Sequence, residues 1–131
     1  DFLEKTLEDI VHENRNIIHK RGLCPYKPVT YRQVKLPSGK KIDILSFEII
    51  NGILYFDVYE LKRDVINIDA VCQGYNYISE IKAAVSGSFT QIMPSLVMVG
   101  KRYDGISILD SVSFPVRVYT YDYQNGWYLV F

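Results

Sequence analysis

The spacing of apolar residues changes several times along this chain, and each change marks an element. From Phe2 to Lys20 they fall at Leu3, Leu7, Ile10, Val11, Ile17 and Ile18, which predicts a helix. Acidic residues crowd its first half, where the helix dipole favours them. Gly22 ends the pattern, and Pro25 and Pro28 hold the next stretch extended. Val29 to Leu36 alternates as a strand and Pro37-Ser38-Gly39 is a turn. Lys41 to Lys62 then alternates on both sides of Asn51-Gly52, and Arg63 to Asn67 reads as a short connection. Helical spacing returns from Ile68 to Ser86, through Val71, Cys72, Tyr75, Ile78, Ile81 and Val85, and stops at Gly87. Leu96 to Gly100 is continuously apolar, as expected of a buried central strand. Ile106 to Leu109, Val116 to Tyr121 and Trp127 to Phe131 add three strands, with a turn at Gln124-Asn125-Gly126. With no repeat, low-complexity tract or linker, residues 1–131 are expected to form a single domain. Its class is α/β (α+β layered), helices packed on a mixed sheet.

The register of the hairpin follows from its turn. A two-residue Asn-Gly loop favours a type I′ turn, in which both central residues take positive φ. Ile50 then faces Ile53, and the later pairs are Ile49 with Leu54, Phe47 with Phe56, Leu45 with Val58, and Asp43 with Glu60. These share one face, because strand side chains alternate with period two. That face is apolar until it meets two opposed carboxylates, and opposed like charges destabilise a sheet pair. A divalent cation would compensate. Lys62, two residues past Glu60, points to the same side, so Asp43, Glu60 and Lys62 converge as a candidate metal-dependent hydrolytic site.

Composition adds little to this picture. The chain has 131 residues, 48% hydrophobic and 23% charged, which is globular rather than disordered. Its 11 tyrosines favour strands over a helical bundle. The formal net charge is zero, so a nucleic-acid surface would have to come from local clustering. Cys24 and Cys72 have no metal-like spacing and read as reduced thiols, which with no visible signal peptide suggests a cytoplasmic protein. No apolar run approaches the roughly 18 residues that span a bilayer. The chain begins at Asp1 without a methionine, as a piece of a longer protein would. His12 and His19 are single residues on a polar helix face and carry no metal pattern.

The chemistry suits hydrolysis of a phosphodiester. Two carboxylates supply the hard oxygen ligands that Mg²⁺ or Mn²⁺ prefers. A neighbouring lysine can orient the attacking water and stabilise developing negative charge. Ile42-Asp43 followed by Glu60-Leu61-Lys62 resembles the split signature of the PD-(D/E)XK nuclease superfamily, with Ile42 in place of the proline. Gln73 and Tyr77, four apart and stacked on one helical face, resemble the QxxxY motif of some of its branches. Leu3-Glu4-Lys5-Thr6-Leu7 through Glu13-Asn14 is similar to the opening helix of NucS-type endonucleases. The resemblance covers at least Leu3 to Gly100. It implies a restriction-endonuclease-like core in the order α-β-β-β-α-β plus C-terminal strands, with a Mg²⁺-dependent deoxyribonuclease activity. It also implies that Glu4 completes the acidic shell, with Glu8 one turn later as the second choice. Asp43, Glu60 and the Leu61 carbonyl would hold the ion, while Gln73 and Tyr77 would line the site and help hold substrate phosphate or the lysine and metal shell.

Lys40, Lys41, Lys62 and Arg63 flank the acidic pair, and Lys101 and Arg102 follow the central strand, which suits a DNA backbone. Cutting both strands of a duplex would call for two active sites, which is compatible with a homodimer. A nuclease-like domain that binds nucleic acid or assembles with little catalysis is the alternative, with Tyr119, Tyr121, Tyr123 and Tyr128 as a partner face.

Overall fold

Asn51 and Gly52 both take left-handed conformations, with φ of 52° and 79°, as a two-residue reversal requires. They join β2 (Lys41–Ile50) to β3 (Ile53–Leu61) in a computed structural model that describes residues 2–15, 28–122 and 126–130. The paired residues are those the turn dictates: Ile50 with Ile53, Ile49 with Leu54, Phe47 with Phe56 and Leu45 with Val58. β1 (Val29–Lys35) lies antiparallel to the other side of β2. β5 (Gln91–Gly100) and β7 (Val116–Asp122) extend the sheet in parallel, and β8 (Gly126–Leu129) closes it antiparallel. The six strands run in the order β1-β2-β3-β5-β7-β8. A separate ribbon pairs β4 (Val65–Ile66) with β6 (Arg102–Tyr103).

A parallel neighbour requires a crossover, and α2 (Ile68–Ala84) makes it between β3 and β5. Asn67 caps the helix, its side chain accepting from the Asp69 amide at 3.1 Å, a contact worth about 1 kcal/mol. Val71, Tyr77 and Ile78 bury one helix face on Phe56, Val58, Leu96 and Met98. On the opposite face, Leu7 and Val11 of α1 (Phe2–Glu13) pack with Ile44, Tyr59, Val97 and Val99. β3 and β5 are therefore covered on both sides. The α1 face also carries a buried polar group, in which Ser95 Oγ donates to Asp57 Oδ1 and Arg117 Nη2 lies 3.6 Å from the same oxygen.

Several boundaries differ from the sequence reading. Ile106 to Leu109 is not a strand but leads into a 3₁₀ helix, Ser107–Ser111, in which Leu109 turns into the α2-side core. Four residues, three of them apolar, do not distinguish the two by periodicity. β5 starts five residues earlier than expected, at Gln91, because Pro94 disguises its beginning. The Arg63 to Asn67 connection contains β4, too short to alternate. α1 stops at Glu13, where the Asn14 amide reaches the Ile10 and Val11 carbonyls. Ile17, Ile18 and His19, and most of the Gln124-Asn125-Gly126 turn, lie outside the described residues. Among those described, no helix is long and apolar enough to cross a membrane.

Gly74 sets how closely α2 approaches the sheet. A Cβ there would lie 2.4 and 2.7 Å from the methyl carbons of Leu96, which is fully buried. Alanine is better than glycine in a helix by roughly 0.5–1 kcal/mol, but overpacking a core costs about 1–3 kcal/mol. Gly74→Ala is thus expected to lower stability in denaturant titration, and Leu96→Val in the same chain to recover part of the loss.

Candidate active site

Alternation along β3 places Glu60 on the face of Phe56 and Val58, at the end where that strand leaves the core. Glu60 is only 4% exposed, and a buried carboxylate is costly unless compensated. Lys62 supplies the compensation from just beyond the strand, its Nζ 3.3 Å from Glu60 Oε1. The same ammonium donates to Gln73 Oε1 at 3.4 Å, and Gln73 Nε2 donates to the Tyr77 hydroxyl at 2.6 Å. A continuous polar chain thus runs from β3 to α2. Gln73 and Tyr77 meet because they stand one helical turn apart.

Asp43 is half-buried on β2. The hairpin register runs to Ile44 with Tyr59, and Asp43 and Glu60 occupy its next step. Tyr77 reports on both carboxylates. Burial raises its pKa above the ordinary tyrosine value; the charge of Glu60 adds to this, the Gln73 hydrogen bond opposes it, and Asp43 and Glu80 raise it further. Leu61 turns its side chain into the α1-side core, leaving its carbonyl as the donor it could offer. The structure therefore gathers Asp43, Glu60, Lys62, Gln73 and Tyr77 at one end of the sheet.

Glu4 lies near the start of α1, and its side chain is outside the described residues. Glu8 has both oxygens engaged, Oε1 by Arg32 Nε and Oε2 by Gln33 Nε2, each at 2.7 Å. Of the two acidic choices on α1, Glu8 is thus committed to β1. The pKa of His12 is lowered, mainly by burial and then by Arg15 and Arg32.

Two polar groups escaped the sequence reading. The Glu8–Arg32–Gln33 contact joins elements 24 and 25 residues apart, which no local pattern discloses. The Asp57–Arg117 pair had a signal: each is a charge on the inner side of a strand whose neighbours are apolar. Neither of two surface cavities includes the site. One, about 210 Å³, is apolar and lies between the hairpin and Ile81, Val85 and Phe89. The other, about 470 Å³, lies between Tyr75 and the Ser111–Ser113 segment.

Helix, three antiparallel strands, crossover helix and parallel strand make up a restriction-endonuclease-like core. In three dimensions the chain is similar to the crystal structure of a repair endonuclease from Pyrococcus abyssi, with a TM-score of 0.60 and 20% sequence identity. The match covers 92% of this chain and 47% of that one, so the chain spans about half the length of that enzyme. At that identity the likeness shows the fold, and function rests on the site. No family model and no curated protein matches the sequence.

Because Tyr77 holds its proton more tightly when folded, the folded chain binds more protons than the unfolded one above the ordinary tyrosine pKa. Its contribution to stability is complete below that pKa and is lost as pH rises through the folded value. Ultraviolet titration should find Tyr77 ionising late, and Glu60→Gln should bring its pKa down.

Proposed function

We propose that this chain is a metal-dependent endonuclease domain that hydrolyses DNA phosphodiester bonds with Mg²⁺ or Mn²⁺. The observation carrying this reading is the Lys62 ammonium held between the Glu60 carboxylate and the Gln73 amide, with Tyr77 behind. The ammonium is thereby tied to the helix as well as to its carboxylate.

The donor set fits a hard divalent ion. Asp43 and Glu60 offer carboxylate oxygens and Leu61 a carbonyl, and Mg²⁺ typically takes one or two carboxylates while keeping waters and substrate phosphate oxygens. When bound, such an ion lowers the pKa of coordinated water and offsets charge on the scissile phosphate. Lys62 would orient the attacking water and donate to the oxygen on which negative charge grows. Gln73 fixes the lysine, and the protonated Tyr77 hydroxyl fixes Gln73. Glu4 is proposed to complete the acidic shell.

The surroundings suit a polyanion. Lys62 N bonds to Val99 O at 2.9 Å and Lys101 N to Asp64 O at 2.7 Å, so Arg63, Lys101 and Arg102 follow the adjoining ends of β3 and β5, with Arg102 Nε 3.5 Å from Asp64 Oδ1. Such cations give the sequence-independent part of DNA binding. For a duplex cut on both strands, the proposed assembly is a homodimer.

The second reading is a domain that binds nucleic acid or assembles with little catalysis. Nicking of supercoiled plasmid decides between the two. Activity should require Mg²⁺ or Mn²⁺, and Asp43→Ala and Lys62→Ala should each reduce it by about 10²-fold or more with circular dichroism unchanged. Wild-type protein that neither nicks DNA nor binds Mn²⁺ would establish the second reading.

A further inference from the structure

Directly across β2 from the candidate site, β1 contains an unusual residue. Gln33 has φ of 52°, a left-handed conformation in the middle of a strand, and a side chain with a Cβ enters that region only under strain. The pairs Arg32 with Ile44 and Val34 with Ile42 resume on either side, so Gln33 stands at the register position opposite Asp43. The core records the same distortion. Ile42 and Ile44 are two apart and on a straight strand would share a face. Instead, Ile42 joins the α2-side cluster and Ile44 the α1-side cluster. Val34 packs on the α2 side, whereas Arg32 reaches Glu8 on α1. Both strands turn over at the Gln33–Asp43 step.

Strained conformations persist only where the surroundings over-determine them. Here the constraint is Glu8, 5% exposed and carried by the helix turn whose Leu7 is buried on the sheet. Its Oε2 accepts from Gln33 Nε2 while its Oε1 accepts from Arg32 Nε. Arg32 Nη2 also donates to Asp9.

We infer that Glu8 and Gln33 are positioning residues for Asp43: the α1 carboxylate holds β1 in its left-handed step, and this sets where the Asp43 carboxylate points relative to Glu60. The inference rests on the proposed role of Asp43 as a metal ligand. Neither residue is assigned as a ligand of the ion. Groups that orient ligands typically change metal affinity by about 10- to 100-fold when removed.

Gln33→Gly separates positioning from stability. Glycine adopts positive φ without strain, so the variant keeps the backbone step available but loses the amide that Glu8 grips. Gln33→Asn is the companion, since asparagine also tolerates the left-handed region but is one methylene shorter. Calorimetric titration with MnCl₂ reads the metal site, thermal melting reads stability, and amide hydrogen exchange at Asp43 and Ile44 reads the backbone without metal. The expected result is Mn²⁺ binding weakened about 10-fold or more in both variants, with faster exchange at Asp43 and only a small change in melting temperature for Gln33→Gly, where relief of the left-handed strain offsets the lost hydrogen bond to Glu8. Wild-type Mn²⁺ affinity in Gln33→Gly, with wild-type protein binding normally, overturns the positioning inference and leaves the nuclease reading intact. Absence of Mn²⁺ binding by the wild-type chain overturns both.

Discussion

The two-residue reversal at Asn51-Gly52 is the constraint on which the rest of the molecule depends. With both residues left-handed, the hairpin has a single register. Period-two alternation then decides which side chains meet α2 and which meet α1. Everything downstream inherits this choice. Phe56 and Val58 become the floor under α2, Tyr59 and Leu61 the floor under α1, and Glu60 is delivered to the helix that carries Gln73 and Tyr77. A one-residue change in register would turn Glu60 away from α2.

The site also depends on how near α2 can come. Gly74 lets the helix settle against Leu96, and only then can side chains of ordinary length bridge from β3 to α2. The Lys62 ammonium spans the gap because Gln73 is on the adjacent turn. Burial of Glu60 follows from the same closeness, so the packing that stabilises the fold creates the electrostatic demand that Lys62 meets.

Much of this was legible in the sequence because it is local or periodic. Asn-Gly dictates the turn, alternation dictates the pairs from Ile50–Ile53 to Leu45–Val58, and four-residue spacing brings Gln73 to Tyr77. What remained hidden arises between elements distant in sequence. Nothing near Gln33 announces a left-handed residue, because its cause is Glu8 on another element. The alternation rule also loses its force at Asp43, where Ile42 and Ile44 divide between two cores. Val65–Ile66 and Ser107–Ser111 were missed for a different reason: segments of two to five residues hold too few positions for any period to register.

The polar group on the α1 face has a consequence for folding fidelity. Asp57, Ser95 and Arg117 come from three adjacent strands and meet at one oxygen. If β3 slid by one residue against β5, the carboxylate of Asp57 would turn into the oily layer beneath α2 and the guanidinium of Arg117 would be stranded. A buried charge without its counterion is among the costliest errors a chain can make. The contacts of the trio therefore belong to one alignment of β3, β5 and β7 alone, the one that also turns the acidic end of β3 toward α2.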